Sequence, residues 1–112
     1  MIYDDNFSIN RRKWRREATQ LPAKYFIKKQ STRYVECTIV NLSRSGAGVM
    51  FPAGERLVNG SLVFLDLVVP KSFEQLTLKG EIKRNHKQGD GMYGGVQFDA
   101  ILPDMVLARL TP

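Results

Sequence analysis

The first alternation of apolar and polar residues along the chain predicts two neighbouring strands. They occupy Ala23–Lys29 and Tyr34–Leu42, with short polar residues between them. In the second segment, Val35, Cys37 and Ile39 lie at period two, so they share one face of a strand. The pattern predicts an antiparallel hairpin.

Four further strands are predicted from short alternating or apolar segments between turn residues. The turn residues include the dipeptide Asn59-Gly60 and the loop Gln88–Gly91. One segment is apolar at nearly every position, which is typical of a strand that is buried on both faces. That segment is Leu62–Val69, and the other three are Gly46–Phe51, Gln75–Lys83 and Met92–Phe98.

Six short strands at close spacing predict an all-β fold. The predicted architecture is a six-stranded antiparallel β-barrel, because closing the sheet removes the exposed edges that an open sheet would have. Pro103 and Asp104 introduce a short C-terminal helix, since proline and an acidic residue favour a first helical turn. Residues 1–10 are polar and aperiodic and are predicted to form a flexible tail. Residues 11–112 then form one domain of ordinary size.

Several functional classes lack the residues that they require. The chain has one cysteine and one histidine, which exclude a disulfide framework, a zinc cluster and a catalytic Cys/His pair. Cys37 is predicted to be a small buried hydrophobe, and His86 an exposed loop residue. Paired carboxylates and nucleophile-base sets are also missing, so neither an enzyme nor a bound cofactor is expected. No apolar stretch resembles a membrane span or a signal peptide, so we expect a cytoplasmic protein.

The positive charge is concentrated in one short segment. The net charge is +6, and Arg11–Arg16 holds five of the seventeen basic residues. The other twelve face eleven acidic residues, which leaves only +1 for the rest of the chain. A local patch suits a compact anionic ligand better than a long polyanion, which needs basic residues spread along a groove.

Arg12 and Arg16 lie four residues apart, and Arg11 precedes them. A guanidinium has a planar fork that can donate two hydrogen bonds to a phosphate or to the O6/N7 edge of guanine, and it can also stack on a purine. The alternative is a solvated basic tail, because most charge runs bind nothing specific.

A second polar motif, Asn41-Leu-Ser43-Arg-Ser-Gly46, follows a predicted strand. It is typical of a β-turn in which the glycine has a positive φ. It also fits base recognition: the Asn41 amide and the Ser43 hydroxyl, two residues apart, would point the same way and contact guanine, and Gly46 would let the backbone come close.

The two motifs, followed by a barrel whose last strand reads Tyr-Gly-Gly-Val-Gln-Phe, resemble the PilZ family from Arg11 to about Leu110. That family binds cyclic di-GMP, a bacterial second messenger. The resemblance implies that Arg12 and Arg16 clamp guanine and phosphate from a flexible arm that folds over the ligand. It also implies that a guanine is received on the barrel by the second motif, at Asn41, Ser43 and Gly46.

The resemblance implies two further properties of the ligand site. An arginine directly before the first motif, here Arg11, is similar to the version that accepts a stacked, intercalated dimer of cyclic di-GMP. Asn41 stands where many members have aspartate, and an amide cannot accept both N1–H and N2–H of guanine as a carboxylate does. The affinity is therefore left open.

Two alternatives compete with a cyclic di-GMP receptor. One is a PilZ-like adaptor in motility or export machinery that no longer binds nucleotide. The other is a small barrel for single-stranded nucleic acid, which the strands disfavour because they lack a platform of surface aromatic and basic residues. The expected partners are cyclic di-GMP and a downstream protein, without DNA, RNA or membrane insertion.

Overall fold

This computed structural model describes residues 15–112, which contain six strands and one short helix. The strands close into a barrel in the order β1-β2-β3-β6-β5-β4, and every neighbouring pair is antiparallel. The predicted all-β barrel with a short C-terminal helix is confirmed, whereas the tail predicted for residues 1–10 lies outside the described residues. The elements are β1 (Glu17–Ile27), β2 (Val35–Leu42), β3 (Gly46–Phe51), β4 (Leu62–Val68), β5 (Gln75–Gln88), β6 (Gly91–Phe98) and α1 (Asp104–Leu110).

The barrel interior is filled by alternate residues of every strand. Tyr25 packs edge-on against Phe51, with ring centroids 4.7 Å apart, and both rings are buried. Burial of one such large side chain contributes about 1.5–3 kcal/mol to folding. Cys37 is a free thiol that is 8% exposed, which confirms its predicted role as a buried hydrophobe.

The alternation of β4 corrects one prediction from the sequence. Its residues alternate between buried and partly exposed positions, and Val68 is 49% exposed. The apolar run had predicted burial on both faces, but only the inner face of a closed barrel strand is covered by the core. Partly exposed apolar residues such as Leu62 and Phe64 therefore lie on the outer face.

Two strands are longer than the sequence pattern predicts. β1 begins at Glu17, six residues before the predicted start, and contains Pro22. This part of β1 pairs with β2 alone, since pairing with β4 begins at Lys24, and proline is tolerated at such an edge. β5 continues to Gln88, so His86 is exposed as predicted but lies on a strand and not in a loop.

Helix α1 lies against the barrel through Leu110, which is 2% exposed. The Thr19 hydroxyl of β1 donates to the Leu110 carbonyl oxygen at 3.4 Å. Asp104 in the first turn and Arg109 in the last turn have the charges that a helix dipole favours. Within residues 15–112, no helix has the length and apolar character needed to cross a membrane.

Candidate functional site

Two β-bulges bring polar side chains to the outer face of the barrel. Along β2, Cys37 and Ile39 point inward, and a register shift against β3 then inserts one extra residue before Asn41. Along β5, Ile82 points inward, and a similar shift against β6 precedes Arg84. Because side chains alternate strictly along a strand, one extra residue reverses the facing of those that follow. Asn41 and Arg84 therefore face outward.

The same register joins five residues into one row across the barrel wall. Direct pairs run from Ala18 to Asn41, on to Gly48 and Gly95, and finally to Arg84. Paired residues of an antiparallel ladder point to the same side of the sheet. The row therefore has two polar side chains with two glycines between them.

Arg16, Asn41 and Tyr93 form a chain of contacts at one end of this row. Arg16 Nη1 donates to Asn41 Oδ1 at 2.5 Å, and Asn41 Nδ2 donates to Tyr93 Oη at 3.3 Å. A Cβ atom on Gly48 would collide with Tyr93 Oη and with the Asn41 amide. Because Gly48 has no side chain, Asn41 and Tyr93 can contact each other above it.

The Ser43 hydroxyl lies inside the turn between β2 and β3. Ser43 is 1% exposed, and its Oγ accepts hydrogen bonds from the backbone N–H groups of Ser45 and Gly46, each at 3.2 Å. The Ser43 N–H donates to the Gly46 carbonyl oxygen at 2.9 Å. These bonds fix the turn directly after Asn41, and the predicted contact of Ser43 with a ligand stays a prediction.

Gly46 is required by a close approach of two backbones. Its φ is not positive, which corrects one reading of the motif. A Cβ atom at this position would instead collide with the carbonyl oxygen of Val96 on β6. The missing side chain thus allows a close contact between β3 and β6, and the predicted approach of a ligand to Gly46 stays a prediction.

Nearly all of the chain matches a known family. Residues 10–111 match the family model described as PilZ domain. The chain belongs to the PilZ domain family. A comparison of this PilZ domain with curated proteins found no significant sequence match.

Two solved structures share the PilZ fold with this domain. The structure of Bacillus subtilis Inhibitor of motility (MotI/DgrA) matches with a TM-score of 0.66 at 16% identity, over 89% of this chain and 48% of that one. The PilZ domain of CeSA from a cellulose-synthesizing bacterium matches with a TM-score of 0.59 at 19% identity, over 86% and 94% of the two chains. The chain thus spans about half the length of the Bacillus protein.

The structure brings together some of the residues that the PilZ motifs predict. Arg16 and Asn41, one from each motif, are in contact, and Ser43 and Gly46 form the adjoining turn. Arg11 and Arg12 lie outside the described residues. Among residues 15–112, no group of histidine, cysteine, aspartate and glutamate could hold a metal ion.

Sequence reasoning missed three side chains of this PilZ surface. Tyr93 contacts Asn41, and the His86 ring stacks on the Tyr93 ring with centroids 5.2 Å apart. Arg84 lies beyond them, with its side chain across Gly95. The Tyr-Gly-Gly sequence of β6 was a signal, because two glycines in a strand indicate a close approach.

Proposed function

We propose that this PilZ domain is a receptor for cyclic di-GMP and has no catalytic activity of its own. The observation that carries the proposal is the hydrogen bond between Arg16 and Asn41, which lie 25 residues apart in the chain. It joins the last arginine of the first motif to the first residue of the second. Membership in the PilZ family supports the same ligand.

The Arg16 guanidinium and the Asn41 amide have complementary tasks in this proposal. Arg16 provides the planar donor fork that suits a phosphate or the O6/N7 edge of guanine. Its bond to Asn41 Oδ1 orients the amide, whose Nδ2 points toward Tyr93. Ligand binding replaces or shares these contacts, so little rearrangement of the barrel wall is needed.

The basic arm completes the proposed site. Arg11 and Arg12 contribute further guanidinium groups to the five clustered cations of Arg11–Arg16, whose mutual repulsion an anionic ligand reduces. The two phosphodiesters of cyclic di-GMP offset part of this positive charge, so the arm becomes ordered over the barrel. Arg11 gives the site the capacity for an intercalated dimer of the ligand, with a stoichiometry of two per domain.

An ordered arm changes the surface that the domain shows to a downstream protein. We place ligand binding and the contact with the downstream protein in the cytoplasm, where the messenger is found, and assign no role to DNA or RNA. One structural neighbour is an inhibitor of motility, so a target in motility control is the first to test.

Isothermal titration calorimetry with cyclic di-GMP tests the proposal. Arg16→Ala should weaken binding at least tenfold, because a hydrogen bond to a charged group contributes about 1.5–3 kcal/mol. Arg33→Ala is the matched control: Arg33 is exposed in the β1–β2 connection, at the other end of β1 from Arg16. Equal weakening by both variants would reduce the arginine clamp to general electrostatics. A wild-type domain that gives no binding heat would favour the adaptor alternative.

A further inference from the structure

Beyond Asn41, the outer face of the barrel carries a second cluster that can recognise a planar base. It contains Arg84 and the stacked rings of His86 and Tyr93, which pair directly across β5 and β6. Arg84 and His86 are exposed, and Tyr93 is half-buried. We refer to Arg84, His86 and Tyr93 as the β5–β6 shelf.

The Arg84 side chain is held along the sheet. A Cβ atom on Gly95 would lie 3.2 Å from Arg84 Cγ and 3.3 Å from its Nε, so the side chain crosses the space that the glycine leaves open. This packing limits the freedom of the stem and presents the guanidinium at the surface of the shelf. Gly95 therefore pre-orients the cation, which lowers the entropy lost on binding.

In residues 15–112, Arg84 also differs from other cations on the barrel in having no acidic ion-pair partner. Lys79 pairs with Asp99 at 3.5 Å, and Lys83 pairs with Glu81 at 3.4 Å. Within residues 15–112, no carboxylate makes an ion pair with Arg84. Its donor fork is thus available to an external acceptor.

The distance between the two clusters suits a ligand with two bases. Asn41 and Arg84 are three strand positions apart in the row, which corresponds to about 14 Å between their backbones at roughly 4.8 Å per strand. Both side chains reach over the intervening glycines and shorten this gap. A cyclic dinucleotide carries its two purines on opposite sides of one ring, so it can lie across the wall.

We propose that the β5–β6 shelf binds the second guanine of the ligand, the one that Arg16 and Asn41 do not hold. Arg84 donates its fork to O6 and N7 of that base, and the His86–Tyr93 ring pair borders it. This inference rests on the proposed function, since it assigns further residues to the same ligand. It makes Arg84 a determinant of guanine specificity.

Calorimetric titration of Arg84→Ala and Arg84→Lys with cyclic di-GMP tests the shelf. Arg84→Ala should weaken binding about tenfold, equivalent to about 1.4 kcal/mol, because the bidentate contact with guanine is lost. Arg84→Lys keeps the positive charge but loses the planar donor fork, so it should bind cyclic di-GMP nearly as weakly as Arg84→Ala does. Lys79→Ala removes one positive charge from the same strand and should stay within about twofold of the wild type.

The base preference provides a second measurement. Adenine offers a donor where guanine has the O6 acceptor, so the wild type should prefer cyclic di-GMP over cyclic di-AMP, and Arg84→Ala should reduce that preference. Full rescue by lysine, or an unchanged preference in Arg84→Ala, would overturn the guanine contact. Wild-type binding that Arg84→Ala leaves unchanged overturns the shelf alone, whereas no wild-type binding at all overturns the proposed function as well.

Discussion

Gly46 is the residue of the second motif whose role the structure explains most directly. Its missing side chain lets β3 approach the Val96 carbonyl oxygen, which belongs to the β6 backbone. Gly46→Ala should lower the free energy of unfolding by about 1–3 kcal/mol, because the new methyl group must displace a paired strand. Urea denaturation followed by circular dichroism measures this loss.

Gly95→Ala is the matched control for Gly46→Ala. The nearest atoms to a new Cβ at Gly95 belong to the Arg84 side chain, at 3.2 Å or more, and a shift of only a few tenths of an ångström relieves this contact. This variant should change the free energy of unfolding by less than about 1 kcal/mol. Comparable losses in the two variants would contradict the backbone contact at Gly46 and indicate a general intolerance of side chains.

At the residue scale, the sequence motifs predicted which residues lie close together better than they predicted the structural role of each residue. Asn41 and Arg16 were predicted to act together, and they are in contact. For Ser43 and Gly46 the motif indicated importance, but their visible roles are hydrogen bonds within the turn and a close approach to β6. Periodicity cannot separate these roles, because a turn and a ligand contact both favour small polar residues.

At the element scale, the number of strands and their places along the chain followed from the sequence pattern, but two strand ends and the order of strands around the barrel did not. β1 begins before Pro22, and β5 extends past a bulge at Ile82–Arg84. A bulge reverses the alternation, so the polar run after Ile82 was interpreted as a loop. His86 pairs with Tyr93 of β6. The last residues of β5 are therefore a strand because β6 lies beside them, and the sequence of β5 alone does not indicate this.

Helix α1 depends on the turn of the second motif for its position. Arg44 Nε donates to the Leu102 carbonyl oxygen at 2.7 Å and lies 3.4 Å from Asp104 Oδ1. The helix has seven residues, which is too short for stability in isolation. Arg44→Ala should therefore accelerate amide hydrogen exchange in α1 by about fivefold or more, equivalent to roughly 1 kcal/mol, while the strands exchange as before.

Arg109→Ala is the control for this coupling. Arg109 and Glu74 form an ion pair in which both side chains are more than half exposed, and such pairs contribute little. Exchange in α1 should change less than in Arg44→Ala. If both variants accelerate α1 equally, the helix is held by charge in general and not by the turn.

At the scale of the whole molecule, the barrel wall separates the buried core from the proposed ligand site. The buried core lies inside the closed wall, whereas Arg16, Asn41 and the β5–β6 shelf lie on its outside. Surface substitutions at the site should therefore change affinity with little effect on folding. Burial inside the barrel has a second consequence, which is that the free energy of unfolding depends on pH in the alkaline range.

Burial raises the pKa of the Cys37 thiol from 9.0 to about 12. Well below pH 9 the thiol is neutral in the folded and the unfolded chain, so its full contribution to stability is present. Between pH 9 and about 12 only the unfolded chain loses this proton, so the free energy of unfolding falls by up to about 1.4 kcal/mol per pH unit. Burial and the Glu55 carboxylate also raise the pKa of Tyr25, which acts in the same direction at higher pH.

Urea denaturation of the wild type and of Cys37→Ala at several pH values isolates the thiol. The variant loses part of the buried side chain at every pH, but it cannot lose the thiol proton. The stability difference between the two proteins should be constant up to about pH 8.5 and should shrink as the pH approaches 11. A difference that stays constant over this whole range would show that solvent reaches Cys37, and the barrel would then be open to water at its core.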